Sequence, residues 1–457
     1  MPPPLALLLT LAFIFFLFWR ETRENSKVSS ALWIPLIWLV LTASKFPSQW
    51  LSAGAGQSPE DGSPLDAAVF FGLIVCGAYV LKQRRVSFRD FSRYNVWITV
   101  FLAYCLVSIL WSDFPFVAFK RWIKVVALPI MALVVLTDPD PKEALRRLLK
   151  RTGYVLLPLS LLFIKYFPQY GRGFDAWSGL AFNCGVHNSK NELGCASMIL
   201  GSFFCWNTLQ SLKIRDRRRG VELLVNVGFF GLACWLLKLS SSATSLVGLV
   251  ITVSTILVLG LPFVSRRHVT TYVVVGILIF AVAEPMFGIY KGTLGALGRD
   301  ASLTDRTEVW HDALQLQPDP ILGAGFESFW LGPRLEKLWE KWWWRPNQAH
   351  DGYIETYLNL GYVGIIILAG MIIGTFRKAS RAVVTDFEFG RFRLGILLAI
   401  VVYNFTEATF KGVHMVWMIF YLIALDYPLV RSIQARAVRK AVSVPTQFPR
   451  PEAVSRL

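Results

Sequence analysis

The stretches GRDASLTDRTEVW (298–310), PILGAGFESFW (320–330) and NQAHDGYIETYLNLG (347–361) stand out as polar segments in a chain that is otherwise strongly apolar. They lie in and next to a 62-residue loop, residues 291–352, between two hydrophobic runs. Loops of this length are usually functional or disordered, and the frequent Trp, Phe and Gly residues here argue against disorder. The sequence therefore predicts that this loop is folded and holds the functional groups.

The composition indicates a membrane protein. Of the 457 residues, 54% are hydrophobic and 17% are charged, whereas soluble domains carry roughly a quarter charged residues. The six cysteines show no CxxC or Cys/His pattern, so neither a disulfide framework nor structural zinc is expected. Hydropathy predicts an all-α bundle of twelve or thirteen spans, each near the roughly 20 residues that a bilayer requires. The predicted spans are 3–19, 31–51, 66–81, 95–112, 120–137, 152–167, 193–211, 221–238, 243–264, 270–290, 353–374, 393–409 and 413–430.

The basic residues predict the topology. The formal net charge is +17, but Lys and Arg occur in short clusters between apolar runs, which argues against a nucleic-acid partner. Alternate connections hold 31 of the 47 Lys and Arg residues, and the positive-inside rule places these connections in the cytoplasm. The chain then divides into N-terminal spans (1–290), an outward loop (291–352), C-terminal spans (353–430) and a cytoplasmic tail (431–457).

Two arginines and a histidine are the main candidate functional residues in the loop. Residues 302–314 are predicted to form a short amphipathic helix containing Arg306, with Arg299 seven residues earlier. Two guanidinium groups suit bidentate contact with a diphosphate, although a helix lying on the membrane with Arg306 toward the headgroups also fits the pattern. His350 is placed either to act as a general base or only to cap the following helix. His311 is interpreted as solvated.

Other segments carry candidate groups outside these motifs. FNCGVHNSKNELG (182–194) places Lys190 at a helix N-terminus, where backbone amides favour anions. His187 and Lys190 are therefore candidates for phosphate binding, with a polar helix cap as the alternative. Lys238 precedes SSSATS (240–245), whose hydroxyls are typical of contacts between membrane helices. The tryptophans of WSDFP (111–115) and KWWWRP (341–346) favour anchoring at the membrane interface over sugar stacking.

These motifs, taken together and in order, resemble a known family. GRDASLTDRTEVW, PILGAGFESFW and HDGYIETYLNLGYVGIIIL (350–368) are similar to the signature region of the O-antigen ligase and polysaccharide polymerase family. WSDFP, GVHNSKNELG and SSSATS look most like its exopolysaccharide-polymerase branch, and the resemblance covers residues 100–430. It implies a GT-C-like helical fold in the bacterial inner membrane with a large periplasmic loop. Arg306 and His350 match the loop arginine and histidine of the family.

The resemblance also implies an activity and partners. The implied enzyme moves a glycan from undecaprenyl diphosphate to an acceptor hydroxyl, and thereby polymerises exopolysaccharide repeat units. Its implied partners are the undecaprenyl diphosphate-linked oligosaccharide, an acceptor glycan, membrane lipids and other polysaccharide-export proteins. No cofactor is expected, and no residues show metal-ligand spacing, so a metal-free reaction is predicted. Family ligases carry an arginine at the start of a span before the loop, whereas SSSATS has none. This leaves Lys190 or Lys238 as substitute cations.

Three other functions remain open. One is an O-antigen ligase that joins a finished glycan to a lipid acceptor. Another is a transporter of lipid-linked sugar, which is expected to show broken helices in matching halves and charges near the membrane midplane. The last is a structural partner in an envelope-synthesis complex, which requires no ordered Arg/His arrangement. The concentration of polar residues in one outward loop favours the enzyme.

Overall fold

A computed structural model describes residues 1–23, 27–51, 62–175, 179–215, 219–287 and 306–427, with the backbone alone over 280–287. Within these residues the chain forms eighteen α-helices and one small two-stranded β-hairpin. The predicted all-α class is therefore confirmed, and the hairpin is the one addition to it in the described part of the chain.

The elements follow one another along the chain with short connections. Before the long loop the helices are α1 (Pro3–Thr22), α2 (Trp33–Thr42), α3 (Pro47–Trp50), α4 (Pro64–Gln83), α5 (Phe88–Tyr94), α6 (Val96–Val107), α7 (Pro115–Leu136), α8 (Pro141–Tyr166), α9 (Pro168–Gly171), α10 (Lys190–Ser211), α11 (Arg219–Ser240), α12 (Ala243–Val258) and α13 (Val269–Phe287). The later helices are α14 (Arg306–Gln315), α15 (Gly332–Lys341), α16 (Gly352–Thr385), α17 (Phe387–Tyr403) and α18 (Met415–Ala424). Between α9 and α10, β1 (Arg172–Phe174) pairs antiparallel with β2 (Ala181–Asn183).

Helix starts follow from local chemistry. Several helices begin with proline. Backbone N–H groups in the first turn of a helix have no hydrogen-bond partner within the helix, so the N–H that proline lacks is not needed there. At the start of α10 the hydroxyl of Ser189 accepts the backbone N–H of Glu192 at 3.2 Å. At the start of α16 a carboxylate oxygen of Asp351 accepts the N–H groups of Tyr353 and Ile354, each at 2.8 Å. Because Asp351 caps α16, the neighbouring histidine does not.

The long apolar helices identify a multi-pass membrane protein. α1, α4, α11 and α16 are long and apolar enough to cross a membrane, and α5 with the bent continuation 96–111 can form a fifth span. Shorter apolar helices occupy other predicted spans, among them α12 and α18. Large apolar side chains on α1, α4 and α13 are exposed, for example Phe15, Phe71 and Ile277, which suits contact with lipid. The total of twelve or thirteen spans stays a prediction.

Helix α18 lies at the centre of the bundle. All ten of its residues are buried, and it packs against α7, α16 and α17. Helix α10 packs against α11 and α12, and α12 packs against α17. The connection between α17 and α18, residues 404–414, is not helical. It lies beside the starts of α10 and α16, where it contacts the long loop.

Residues 306–352 of the long loop are folded and dock on a kink in α16. This part contains α14, which lies within the predicted helix 302–314, and a second short helix, α15. It has its own hydrophobic core, which includes Phe329 and Trp330. Gly361 interrupts α16 with a φ of 62°, and a Cβ on it would overlap the backbone of Ile321. Gly323, with a φ of 76°, lies equally close to the backbone of Asn359. Only glycine permits this approach, so these two glycines fix PILGAGFESFW against α16.

We expect residues 291–352 and 375–393 to face opposite sides of the membrane, because the positive-inside rule assigns the second segment to the cytoplasm. Lys337→Cys and Arg377→Cys each place a thiol at an exposed position. A membrane-impermeant maleimide added to intact spheroplasts should label position 337 but not position 377. Both variants carry Cys76→Ser, because Cys76 is an exposed natural cysteine. Labelling at 377 but not at 337 would reverse the predicted topology.

Candidate functional site

Three parts of the chain meet at the carboxylate of Glu407. One carboxylate oxygen lies 3.7 Å from Nδ1 of His350. The other lies 3.9 Å from Nη2 of Arg306 and accepts a 2.6 Å hydrogen bond from Nδ2 of Asn191. The long loop contributes the arginine and the histidine, α10 contributes the asparagine, and the α17–α18 connection contributes the glutamate. We call these four residues the carboxylate cluster.

Arg306 points into the protein. It is the first residue of α14, and its Nη1 donates a 2.6 Å hydrogen bond to the backbone oxygen of Thr406. The hydroxyl of Thr406 in turn lies 2.7 Å from that of Thr244, within the SSSATS segment. Only 19% of the arginine side chain is exposed. This placement disfavours a guanidinium directed at the membrane surface. The remaining N–H groups of Arg306 make no hydrogen bond within the described residues, so they can bind an anion.

His350 is held in an unusual backbone conformation. Its φ is 53°, in the left-handed region that a non-glycine residue occupies at a cost of roughly 1–3 kcal/mol. The neighbours on both sides are fixed, since the N–H of Ala349 donates to Glu355 and Asp351 caps α16. The amide of Gln348 lies 3.3 Å from Nδ1 of the histidine. A quarter of the side chain is exposed, so the imidazole is accessible to a substrate.

Buried Glu355 joins the loop to the bundle. One of its oxygens accepts hydrogen bonds from Nε1 of Trp330 at 3.0 Å and from the N–H of Ala349 at 2.9 Å. The other lies 3.2 Å from Nζ of Lys411, in the α17–α18 connection. A single carboxylate thus ties together PILGAGFESFW, the residue before His350 and residues 404–414. This arrangement sets the distance between His350 and Glu407.

Lys190 and Lys238 make their contacts outside the carboxylate cluster. Lys190 pairs with Asp175 at 3.3 Å, although the adjacent Asn191 belongs to the cluster. Lys238 is exposed, and its ammonium lies 6.0 Å above the ring of Trp235. Neither lysine contacts the cluster within the described residues. Arg299 lies outside them.

His187 is buried beside the start of α10, with 1% of its surface exposed. Burial lowers the pKa of its imidazole to about 4, so this side chain is neutral near pH 7. Its Nδ1 has no hydrogen-bond partner among the described residues. A contact from His187 to a phosphate would therefore be a hydrogen bond between a neutral group and the anion.

Two other predicted segments have structural roles. The hydroxyl of Ser112, in WSDFP, lies 2.6 Å from that of Ser328 in PILGAGFESFW. In KWWWRP, Trp342 is buried and donates a 2.9 Å hydrogen bond to Asp312. Trp342 is thus part of the loop core and is not an interface anchor. Trp343, by contrast, is 62% exposed.

Sequence reasoning missed Asn191, Glu407 and Lys411 as site residues. The predicted span 393–409 included Glu407, whereas α17 ends at Tyr403. The missed signal was the polar run NFTEATFKGVH (404–414) between two apolar helices, because ionisable residues within membrane segments are functional candidates. The described residues contain no group of three or more His, Cys, Asp or Glu side chains that could hold a metal ion.

Two comparisons with known proteins agree with the motifs. The family model described as O-antigen ligase matches residues 228–369, which include Arg306 and His350. The chain is also 27% identical over 314 residues to the exopolysaccharide production protein ExoQ of Rhizobium meliloti (strain 1021). That alignment covers 65% of this chain and 68% of ExoQ. Together the two matches support the resemblance of the chain to the O-antigen ligase and polysaccharide polymerase family.

Proposed function

We propose that the protein is a metal-independent glycosyltransferase of the bacterial inner membrane. It moves a glycan from undecaprenyl diphosphate to an acceptor hydroxyl at the periplasmic face and thereby polymerises exopolysaccharide repeat units. The observation that carries the proposal is that Arg306 and His350 both lie within 4 Å of Glu407. Transfer from a lipid diphosphate requires a cation for the departing diphosphate and a base for the acceptor hydroxyl, and the cluster offers both.

The proposed reaction forms one bond and breaks one. The acceptor oxygen bonds to the anomeric carbon of the donor sugar while the bond from that carbon to the diphosphate oxygen breaks. Arg306 stabilises the negative charge that develops on the diphosphate through its planar N–H groups. His350 takes the acceptor hydroxyl proton.

The other predicted cations and His187 are proposed as further donor contacts. Lys190 and His187 precede Asn191, which belongs to the cluster, so they lie close along the chain to the proposed diphosphate position. Arg299 precedes Arg306 in the long loop, and Lys238 ends the helix before SSSATS. Membrane lipids and other polysaccharide-export proteins are proposed as further partners of the enzyme.

Glu407 is proposed to position His350. A carboxylate near Nδ1 favours a proton on that nitrogen, which leaves Nε2 with its lone pair for the acceptor hydroxyl. The same negative charge stabilises the imidazolium that forms when the proton is taken. The hydrogen bond from Asn191 holds the carboxylate in place for this role.

Glu407→Gln should lower kcat by roughly 10- to 100-fold, the scale of loss when a partner that orients an imidazole is removed. The loss should appear in kcat, while KM for the donor should change little, because the diphosphate contact is assigned to Arg306. Glu407→Asp should restore part of the rate. Glu308→Gln, which changes an exposed carboxylate on α14, is the matched control. An equal loss of rate in Glu407→Gln and Glu407→Asp, together with a lower unfolding temperature in both, would assign Glu407 a structural role only.

A second candidate function is ligation of a finished glycan to a lipid acceptor, which the O-antigen ligase description of the matching family model favours. Purified protein in liposomes with undecaprenyl diphosphate-linked oligosaccharide distinguishes the functions. Longer glycans formed without added lipid acceptor, at the same rate with and without EDTA, are the result that we expect. Products that appear only with a lipid acceptor would identify a ligase. Movement of the donor across the bilayer without a new glycosidic bond would identify a transporter and contradict the proposal.

A further inference from the structure

A crevice with basic walls lies at the other end of α16 from the carboxylate cluster. It forms where the starts of α8 and α17 meet the end of α16, and its volume is about 370 Å³. This volume is within the roughly 300–1,000 Å³ typical of ligand pockets. Apolar side chains such as Leu145 and Phe389 form part of the wall. We call this feature the basic crevice.

The charged side chains that line the basic crevice are predominantly positive. They comprise four cations and two carboxylates, namely Lys142, Lys378, Arg381, Arg393, Asp386 and Asp426. These cations come from three helices, α8, α16 and α17, so the fold assembles them from separate parts of the chain. An anion in the basic crevice would therefore meet an excess of two positive charges.

The contacts within the basic crevice leave positive charge available. Asp426 forms ion pairs with two cations, Arg393 at 3.0 Å and Lys378 at 3.8 Å. Lys142 pairs with Asp386 at 2.6 Å, but its side chain is 70% exposed, and such exposed pairs contribute little to stability. The exposed Arg381 makes no side-chain hydrogen bond or ion pair within the described residues. Arg381 and Lys142 can therefore bind an incoming anion without breaking a buried interaction.

The helix geometry adds to this positive character. Helices α8 and α17 both begin at the basic crevice, and the N-terminus of a helix carries a partial positive charge with unpaired N–H groups. At the start of α17, the side chain of Asp386 makes no capping hydrogen bond. Backbone N–H groups in the first turn of α17 are thus free of a side-chain cap at the site where the cations converge.

We propose that the basic crevice binds a phosphate group, and that an anionic phospholipid headgroup supplies it. The apolar side chains beside the cations suit a headgroup whose acyl chains continue along the helices. The predicted cytoplasmic orientation of residues 375–393 fits this ligand, because anionic lipids of that leaflet attract basic segments near the membrane surface. A soluble phosphate-bearing molecule shares the same chemistry and is the other source to be tested. This proposal does not depend on the enzymatic activity of the carboxylate cluster.

Thermal unfolding of the purified full-length protein in detergent tests the proposal. Phosphatidylglycerol, phosphatidylcholine and inorganic pyrophosphate are titrated separately. We expect phosphatidylglycerol to raise the unfolding temperature saturably and phosphatidylcholine to raise it little. Arg381→Gln should weaken the apparent affinity for phosphatidylglycerol about fivefold, and a further Lys142→Gln should weaken it again by about the same factor. Saturable stabilisation by pyrophosphate that depends on Arg381 would support the phosphate site and assign it to a soluble ligand.

Arg377→Gln is the matched control, because Arg377 is exposed on the same helix one turn before Arg381 and does not line the basic crevice. It should leave the affinity for phosphatidylglycerol unchanged. An equal loss in Arg377→Gln and Arg381→Gln would show general surface attraction and overturn the proposal. The absence of any saturable, Arg381-dependent effect of either phosphatidylglycerol or pyrophosphate would overturn it as well.

Discussion

Replacement of Arg306 by alanine should lower the rate of glycan transfer by about 10²–10³-fold, the loss typical when one donor to a developing negative charge is removed. The physical reason is that Arg306 is the guanidinium in the carboxylate cluster and has N–H groups that make no hydrogen bond within the described residues. Arg306→Lys should restore only part of the rate, because an ammonium cannot reproduce bidentate contact with phosphate oxygens. Initial rates with saturating lipid-linked donor measure both effects.

Lys337→Ala is the control for Arg306→Ala, because it removes an exposed cation from the same loop. It should retain the wild-type rate. Thermal unfolding and abundance in the membrane show whether loss of the hydrogen bond from Arg306 to Thr406 also weakens the fold. Full activity of Arg306→Ala at normal abundance would remove this residue from the proposed site.

Replacement of His350 by alanine should reduce turnover by about 10²–10⁴-fold, as expected for loss of a general base. Donor affinity should change little, because the diphosphate contact is assigned to Arg306 and the other cations. The rate of the wild-type enzyme should rise with pH on the acid side, where the imidazole loses its proton, and this limb should be absent in the variant. Donor binding and the pH–rate profile of both proteins provide the measurement.

His350→Asn is a second variant that separates chemistry from conformation. Asparagine tolerates the left-handed backbone that His350 adopts, but its amide cannot take a proton. It should be as inactive as the alanine variant while unfolding at the wild-type temperature. If His350 instead contacts the diphosphate as imidazolium, donor affinity should fall with turnover and wild-type activity should rise as pH drops. That result would contradict the assignment as base.

The sequence predicted the helical architecture well, because the patterns that indicate a helix lie within short stretches of the chain. Long apolar runs predict spans at 3–19, 66–81 and 353–374, and the structure has α1, α4 and α16 there. The folded state of residues 306–352 followed from their aromatic and glycine content, and α14 followed from the helical spacing within residues 302–314. The resemblance to the family followed from motifs that keep their order along the chain, and both comparisons support it.

The sequence could not predict which polar groups meet. Glu407 and Lys411 lie in an 11-residue connection, 404–414, between two strongly apolar helices, and a hydropathy average over about 20 residues extends the spans into it. The choice between the alternative roles of Arg306 and His350 also depended on where each side chain points. Periodicity places Arg306 on a helix but does not show that its side chain reaches Thr406 in another part of the chain. Such contacts arise only from the packing of α10, α16 and α17.

Photo-crosslinking of the lipid donor tests most directly whether the diphosphate binds at the carboxylate cluster. An undecaprenyl diphosphate-linked oligosaccharide with a photoreactive group beside the diphosphate is bound to the purified protein, irradiated and mapped by peptide mass spectrometry. We expect adducts in the start of α14, in residues 187–191 and in residues 404–411, with strongly reduced yield in Arg306→Ala. Adducts confined to other parts of the chain, with a yield that does not depend on Arg306, would contradict binding of the diphosphate at the carboxylate cluster.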